Sequence, residues 1–327
     1  MNRLALLLLL VGCARQPHWP ERAPEGDRCE AGAMSEGPFV LETKIQGRTR
    51  RAVVWVPPGP GPHDVVVNLH EFRSEPLRQQ HYSTWVKHAP QVNAILVGPD
   101  GRGSTWNAGE CCGKAHEEQM NDVAFLDAVL DRVDAVGCTS GRVLATGIGN
   151  GAMMAQRWTC DSPRPTALVT VGGSLQQPAC ERDVPIPWLH YHGEKDGFIP
   201  LNGGEGILKT RPGGHRPVSH AVEVFRKRNK ATDARQHQEG ALRCASYAGA
   251  APLTHCVVPD AIDTWPGAAD APADADAPLS HATTGAWAWV REAWEASTPQ
   301  EASDSEPTDA PSDAPEGEPT PAPEGSQ

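Results

Sequence analysis

Arg142-Val143-Leu144-Ala145-Thr146 runs into Gly147-Ile148-Gly149-Asn150-Gly151 and then Ala152-Met153-Met154. The first five residues are rich in apolar and β-branched side chains, the composition of a short buried strand. The three glycines suit a tight turn that side chains would obstruct. The small residues after them open a helix that carries Met153, Met154 and Trp158. Strand, sharp turn and helix in this order predict one repeat of an α/β layer.

The flanking sequence repeats that alternation. Val65-Val66-Val67-Asn68-Leu69-His70 is a buried strand, and so is Ala94-Ile95-Leu96-Val97, closed by Gly98-Pro99-Asp100-Gly101. Ala167 to Val171, Pro187 to His192 and His255 to Val258 read the same way. Val40 to Val56 alternates in polarity around Gln46-Gly47, which predicts a hairpin. From Gln119 to Val133 the apolar residues fall at helical spacing, and Trp287 to Trp294 forms a closing amphipathic helix. Alternating strands and helices predict an α/β fold, a mostly parallel sheet with helices on both faces. Such sheets place their sites at the carboxyl ends of the strands.

The ends of the chain are different. Residues 1–12 carry Arg3 and an apolar run from Leu4 to Val11, too short to span a bilayer as a helix. Leu10-Val11-Gly12-Cys13 resembles a bacterial lipobox. That resemblance implies cleavage before Cys13, lipidation of its thiol, and a membrane as partner. It places the chain in a bacterial cell envelope, outside the cytoplasm at the outer membrane. An ordinary secretory signal with an accidental cysteine is the alternative. Residues 13–28 are expected to be a polar tether, residues 29–296 the folded body, and residues 297–327 a tail. Residues 298–327 hold eight of the acidic side chains and no Lys or Arg, so much of the net charge of −12 sits there. That stretch is Pro-rich and almost free of bulky apolar residues, the composition of disorder. There is no basic patch, which excludes nucleic-acid binding.

Without Cys13, eight of the nine cysteines remain: Cys29, Cys111, Cys112, Cys138, Cys160, Cys180, Cys244 and Cys256. An even number in an exported chain predicts disulfides. Cys244 and Cys256 flank a turn-like stretch and are expected to pair, whereas the neighbours Cys111 and Cys112 are expected to bond to separate partners. No spacing suggests zinc. Asp270, Asp274 and Asp276 lack calcium-loop spacing. No metal and no cofactor is implied.

Ordered short motifs carry a family resemblance. They are Val67-Asn68-Leu69-His70, Pro99-Asp100-Gly101, Trp106-Asn107-Ala108-Gly109 with Cys111-Cys112-Gly113, and Asn121 to Leu126. Arg142 to Gly147, Asn150 to Met154, His192-Gly193-Glu194-Lys195-Asp196 and Thr264-Trp265-Pro266-Gly267 follow. Over residues 35–295 the chain resembles secreted esterases of the α/β-hydrolase fold, the polyhydroxybutyrate depolymerases and feruloyl or acetylxylan esterases.

In that fold a G-x-S-x-G turn exposes a serine nucleophile, and an acid and a histidine follow in chain order. The resemblance puts the serine on Gly149, the acid on Asp196 and the histidine on Asp263. It puts the oxyanion-hole region on His70, Glu71 and Asn150, with Glu71 where the family usually has glycine. Glycine cannot be acylated, and an aspartate does not exchange a proton as imidazole does at neutral pH. Glu71 would oppose the negative charge that an oxyanion hole stabilises. Trp106 and Trp265, with Trp85 and Trp188, are candidates to line a cleft, core packing being the equal alternative. Ser174 lies one strand beyond the turn, and His192 reads as a packed strand-end residue. The leading expectation is a membrane-anchored pseudo-hydrolase that binds a polymer, glycan or protein. The rivals are an active ester hydrolase using other residues and an interaction lipoprotein acting through its acidic tail.

Overall fold

The structure is a computed structural model that describes residues 16–34, 37–211, 213–268 and 278–297. The expected signal, Cys13, the calcium-like aspartates and the acidic tail at 298–327 lie outside the described residues.

The hairpin forms as β1 (Phe39–Ile45) and β2 (Arg48–Trp55), with Gln46 and Gly47 both at positive φ in the turn. The run around Val65 becomes β3 (His63–Leu69), whose seven residues are all buried. β4 (Ile95–Pro99), β5 (Thr139–Ile148), β6 (Ala167–Val171) and β7 (Trp188–Gly193) follow, and β8 (Arg235–Glu239), β9 (Leu242–Tyr247) and β10 (Leu253–Val258) complete the sheet. The ten strands lie in the order β1-β2-β4-β3-β5-β6-β7-β10-β9-β8. Pairing is parallel from β4 through β10 and antiparallel at both edges.

Parallel strands must be covered on both faces. Beyond the short helix α3 (Gly113–Glu117), one face carries α4 (Asp122–Val136), α5 (Asn150–Asp161) and α6 (Val218–Arg228), packed with Val65, Val67 and Leu69 of β3. The other carries α2 (Trp85–Gln91) and α7 (Thr284–Ser297), packed with Val66. α1 (Pro76–Tyr82) buries Gln79 and Gln80 because they serve the polar residue of β3. Asn68 donates to Gln80 Oε1 (2.9 Å) and Ser83 Oγ (2.8 Å), and Gln80 donates back to the Asn68 carbonyl (3.0 Å). Burying such groups is tolerable only when they are satisfied in this way.

Several expectations need correction. Cys111 and Cys112 bond to each other rather than to separate partners, the other six having paired off as Cys29–Cys138, Cys160–Cys180 and Cys244–Cys256. The Cys244–Cys256 bridge joins directly opposed residues of β9 and β10. Trp106 and Trp265 do not line a cleft: both are fully buried, as are Trp85 and Trp188. Trp265 donates to Thr283 Oγ1 (3.0 Å) inside the core. Part of the stretch expected to be a tether is docked. Trp19 is buried edge-on against Phe39, its amide donating to the Val40 carbonyl (2.8 Å) and its indole to that of Arg132 (3.0 Å).

Candidate functional site

The elbow forms where β5 leaves the sheet. Gly149 sits at φ 54° and ψ −119°, a conformation that side chains rarely adopt, and α5 begins at the next residue. The flanking glycines are needed because α5 starts hard against the end of β3. A Cβ on Gly151 would lie 2.6 Å from the His70 carbonyl, and one on Gly147 would lie 2.8 Å from that of Leu69. The turn is held by the Gly149 amide donating to Val171 (3.0 Å) and the Met153 amide donating to Gly149 (3.0 Å).

On one side of the elbow every polar group is matched. The Asn150 carboxamide pairs with the Trp106 backbone in both directions, at 2.7 and 3.1 Å. The Trp106 indole donates to the His70 carbonyl (2.9 Å). The Gly101 amide donates to His70 Nε2 (2.9 Å), so Nδ1–H donates to the Glu71 carbonyl (2.8 Å). Burial pushes the His70 imidazole down to about 4, so the ring is neutral. The three residues expected near an oxyanion hole therefore do meet beside Gly149, with Trp106 as the clamp between them.

Glu71 does more than border that region. Its carboxyl group lies over Gly149, where a side chain at 149 would project. A Cβ there would come within 2.5 Å of Glu71 Cδ and 2.6 Å of Oε2, closer than the 3.0 Å that real Cβ atoms respect. The carboxyl is held by the Phe72 amide (3.1 Å) and by the Asn150 backbone.

On the other side stand the acid positions. Asp196, after β7, accepts the amides of Phe198 (2.8 Å) and Ile199 (2.9 Å) at Oδ1 and so caps a turn. Its Oδ2 is buried without a hydrogen-bond partner, 3.5 Å from His192 Nε2, which is bonded instead to the Ile199 carbonyl (2.8 Å). Asp263, after β10, reaches the same place, and its Oδ1 is also buried and unpartnered. A Cβ on Gly172 would be 3.1 Å from Asp263 Oδ1 and 3.5 Å from Asp196 Oδ2, which shows how closely the two converge. Burial holds the Asp263 carboxyl well above the usual carboxylate range, and the charge of Glu71 raises it further. Burial also raises Glu71, opposed by its hydrogen bond with Asp263. The two carboxyl groups are hydrogen-bonded to each other, and burial favours the uncharged form of both. Behind Asp196 lie His190 and His192, and stacked on His190 is His255. Burial depresses all three, His255 to about 4, and keeps them neutral.

A cavity of about 180 Å³ opens on this cluster. Glu71, Asp263 and Asn150 form its polar end, and Phe72, Met153 and Phe198 stand among its apolar walls. Cys112 and His215 also line it. His215 carries no signal in the sequence beyond a histidine after two glycines, and only the fold brings it here. Ser174 is no substitute nucleophile, since its hydroxyl is buried and donates to the Arg216 carbonyl. Among the described residues no group of three or more His, Cys, Asp or Glu is placed to hold a metal ion.

Comparison with a solved structure fixes the fold. The S-formylglutathione hydrolase from Agrobacterium tumefaciens superposes with a TM-score of 0.50 at 12% identity, covering 79% of this chain and 95% of that one. This chain has the α/β-hydrolase fold.

Sequence relatives narrow the likeness to esterases. A probable feruloyl esterase C from Aspergillus clavatus is 34% identical over 36% of this chain and 41% of the relative. Feruloyl esterase C from Emericella nidulans is 28% identical over 55% and 68%. The chain thus matches less than half the length of the first of these relatives. No protein-family model matches it.

Proposed function

We propose that this chain is an exported, lipid-anchored pseudo-hydrolase that holds a ligand in a former esterase cleft without cleaving it. One observation carries the reading: the Glu71 carboxyl group occupies the volume into which a nucleophile at 149 would project. Covalent ester cleavage needs a nucleophile, a base to take its proton, and donors aimed at the developing oxyanion. Position 149 supplies no nucleophile. Asp263 puts a carboxyl group where the resemblance expects an imidazole, and burial and Glu71 raise it above the usual carboxylate range. A negative charge on Glu71 or Asp263 would oppose an oxyanion. The clamp of His70, Trp106 and Asn150 keeps the cleft standing, which supports binding of a polymer, glycan or protein segment. The lipobox-like Leu10 to Cys13 supports attachment to a bacterial envelope membrane, with the mature chain outside the cytoplasm.

A second reading, an active hydrolase using other residues, has one geometric foothold. Thr210 Oγ1 and His215 Nε2 lie 3.2 Å apart at the same cavity. Burial and Arg211 push His215 down to about 4, which leaves a weak base, and its Nδ1 has no acid to orient it. The inactive reading is therefore preferred.

The test is exposure of the folded, full-length protein to a serine-reactive fluorophosphonate and to aryl esters. The expected result is no labelled residue and no turnover above buffer. Labelling of any hydroxyl, or turnover lost on Thr210→Val, overturns the reading. Cys13→Ser should separately shift the protein from the membrane fraction to the soluble fraction.

A further inference from the structure

The cleft that an esterase would use to stabilise negative charge is, in this chain, lined for the opposite charge. Two carboxyl groups, Glu71 and Asp263, line it, and Asp263 Oδ1 is buried with no hydrogen-bond partner, as is Oδ2 of Asp196 close behind it. Buried acceptors without donors are costly, and native interiors seldom leave them so.

A second feature points the same way from another element. His215, in the loop before α6, is 4% exposed and lines the cavity, and its Nδ1 is likewise buried without a partner. In the tautomer that donates Nε2–H to Thr210 Oγ1, that nitrogen is a further acceptor. Among the described residues no Lys or Arg lines the cavity. Arg211, beside His215, is engaged with Glu110 and the Gly214 carbonyl.

We propose that this cavity binds a small organic ammonium ion, its N–H groups donated to Asp263 Oδ1 and the acceptors around it, its apolar body against Phe72, Met153 and Phe198. The size agrees. A dry cavity of ~150 Å³ accepts benzene, and this one measures about 180 Å³, so one ring and one or two further atoms fit. Electrostatics agrees too. The Glu71 and Asp263 carboxyl groups both line the cavity, and attraction between a carboxylate and a cation is stronger beside a protein surface than in bulk water. A carboxylate-bearing ligand of the same shape would meet like charge. Metal ions are disfavoured because the oxygens do not form a ligand set.

This inference rests on the binding reading above, and its test separates the two. Titration calorimetry on the wild-type, full-length protein compares benzylammonium, benzyl alcohol and benzoate, which share a ring and differ in charge. The expected result is benzylammonium at least tenfold tighter than benzyl alcohol, with benzoate weaker than both. Asp263→Asn combined with Glu71→Gln, which removes both carboxyl charges, should abolish the preference for the cation over the alcohol. Equal affinities, or benzoate in front, would overturn the proposal even if the protein proves inert toward esters. The wild-type series decides the matter without any variant having to fold. Labelling by a fluorophosphonate would sink the pseudo-hydrolase reading instead, whichever ligand wins.

Discussion

The two sides of the elbow differ in a way that separates scaffold from chemistry. On the side of β3, His70, Trp106, Asn150 and Gly101 form a closed network in which each buried donor has its acceptor. On the side of β7 and β10, Asp196 and Asp263 keep buried oxygens that nothing answers. The first network holds the start of α5 against the sheet, and so it does structural work whether or not a reaction occurs. The second lies where the esterase resemblance would place a serine and a histidine, and this chain has Gly149 and Asp263 there. The contrast teaches that the strained turn is required by packing, because α5 cannot otherwise pass the end of β3, whatever stands on the far side of it.

Substitutions on the two sides should therefore act with opposite sign. Trp106→Ala removes a fully buried indole and its bond to His70, and should cost about 3–5 kcal/mol of unfolding free energy in a denaturant titration. A loss under about 1 kcal/mol would mean that the clamp is not structural. Asn150→Ala leaves the Trp106 amide and carbonyl unpaired and should cost about 1–3 kcal/mol. Asp263→Asn, on the other side, should stabilise, by on the order of 1 kcal/mol above neutral pH.

The sign follows from linkage. The Asp263 and Glu71 carboxyls are raised, so the folded state holds protons that the unfolded chain has already released. Stability falls as pH rises through the folded values. His70 and His255 titrate near about 4 against 6.5 in the unfolded chain, so their contribution is lost as pH falls from 6.5 toward 4. Melting curves from pH 4 to 9 should show both limbs in the wild type. Asp263→Asn should keep the acid limb and shrink the alkaline one, to which Glu71 still contributes. An unchanged alkaline limb would show that the Asp263 carboxyl is not raised in the folded protein.

The central parallel strands, α4, α5 and α7 were legible because their apolar residues repeat at the spacing of the element they form. α1 was hidden because its buried residues are glutamines that serve Asn68, a tertiary reason with no local pattern. β8 was hidden because Arg-Gln-His-Gln-Glu at a sheet edge has no apolar face to bury. The elbow could be read from its glycines, and Asp196 and Asp263 from the motifs before and after them. The seat of Glu71 over Gly149 could not, since it depends on the direction in which a side chain leaves the end of β3. Nor could His215, which enters the cavity from a glycine-bounded loop. Tryptophan composition is the same for a cleft as for a core, and only the fold shows that Trp106 and Trp265 are core.

The most direct test of the account is a repair. Glu71→Gly clears the space over the turn, Gly149→Ser supplies a hydroxyl, and Asp263→His supplies an imidazole near Asp196. Aryl-ester hydrolysis by this triple variant should exceed that of the wild type by orders of magnitude, with a fluorophosphonate bound at residue 149 and the wild type no faster than buffer. Wild-type turnover that the repaired protein does not surpass would contradict the claim that the cleft is intact but disarmed.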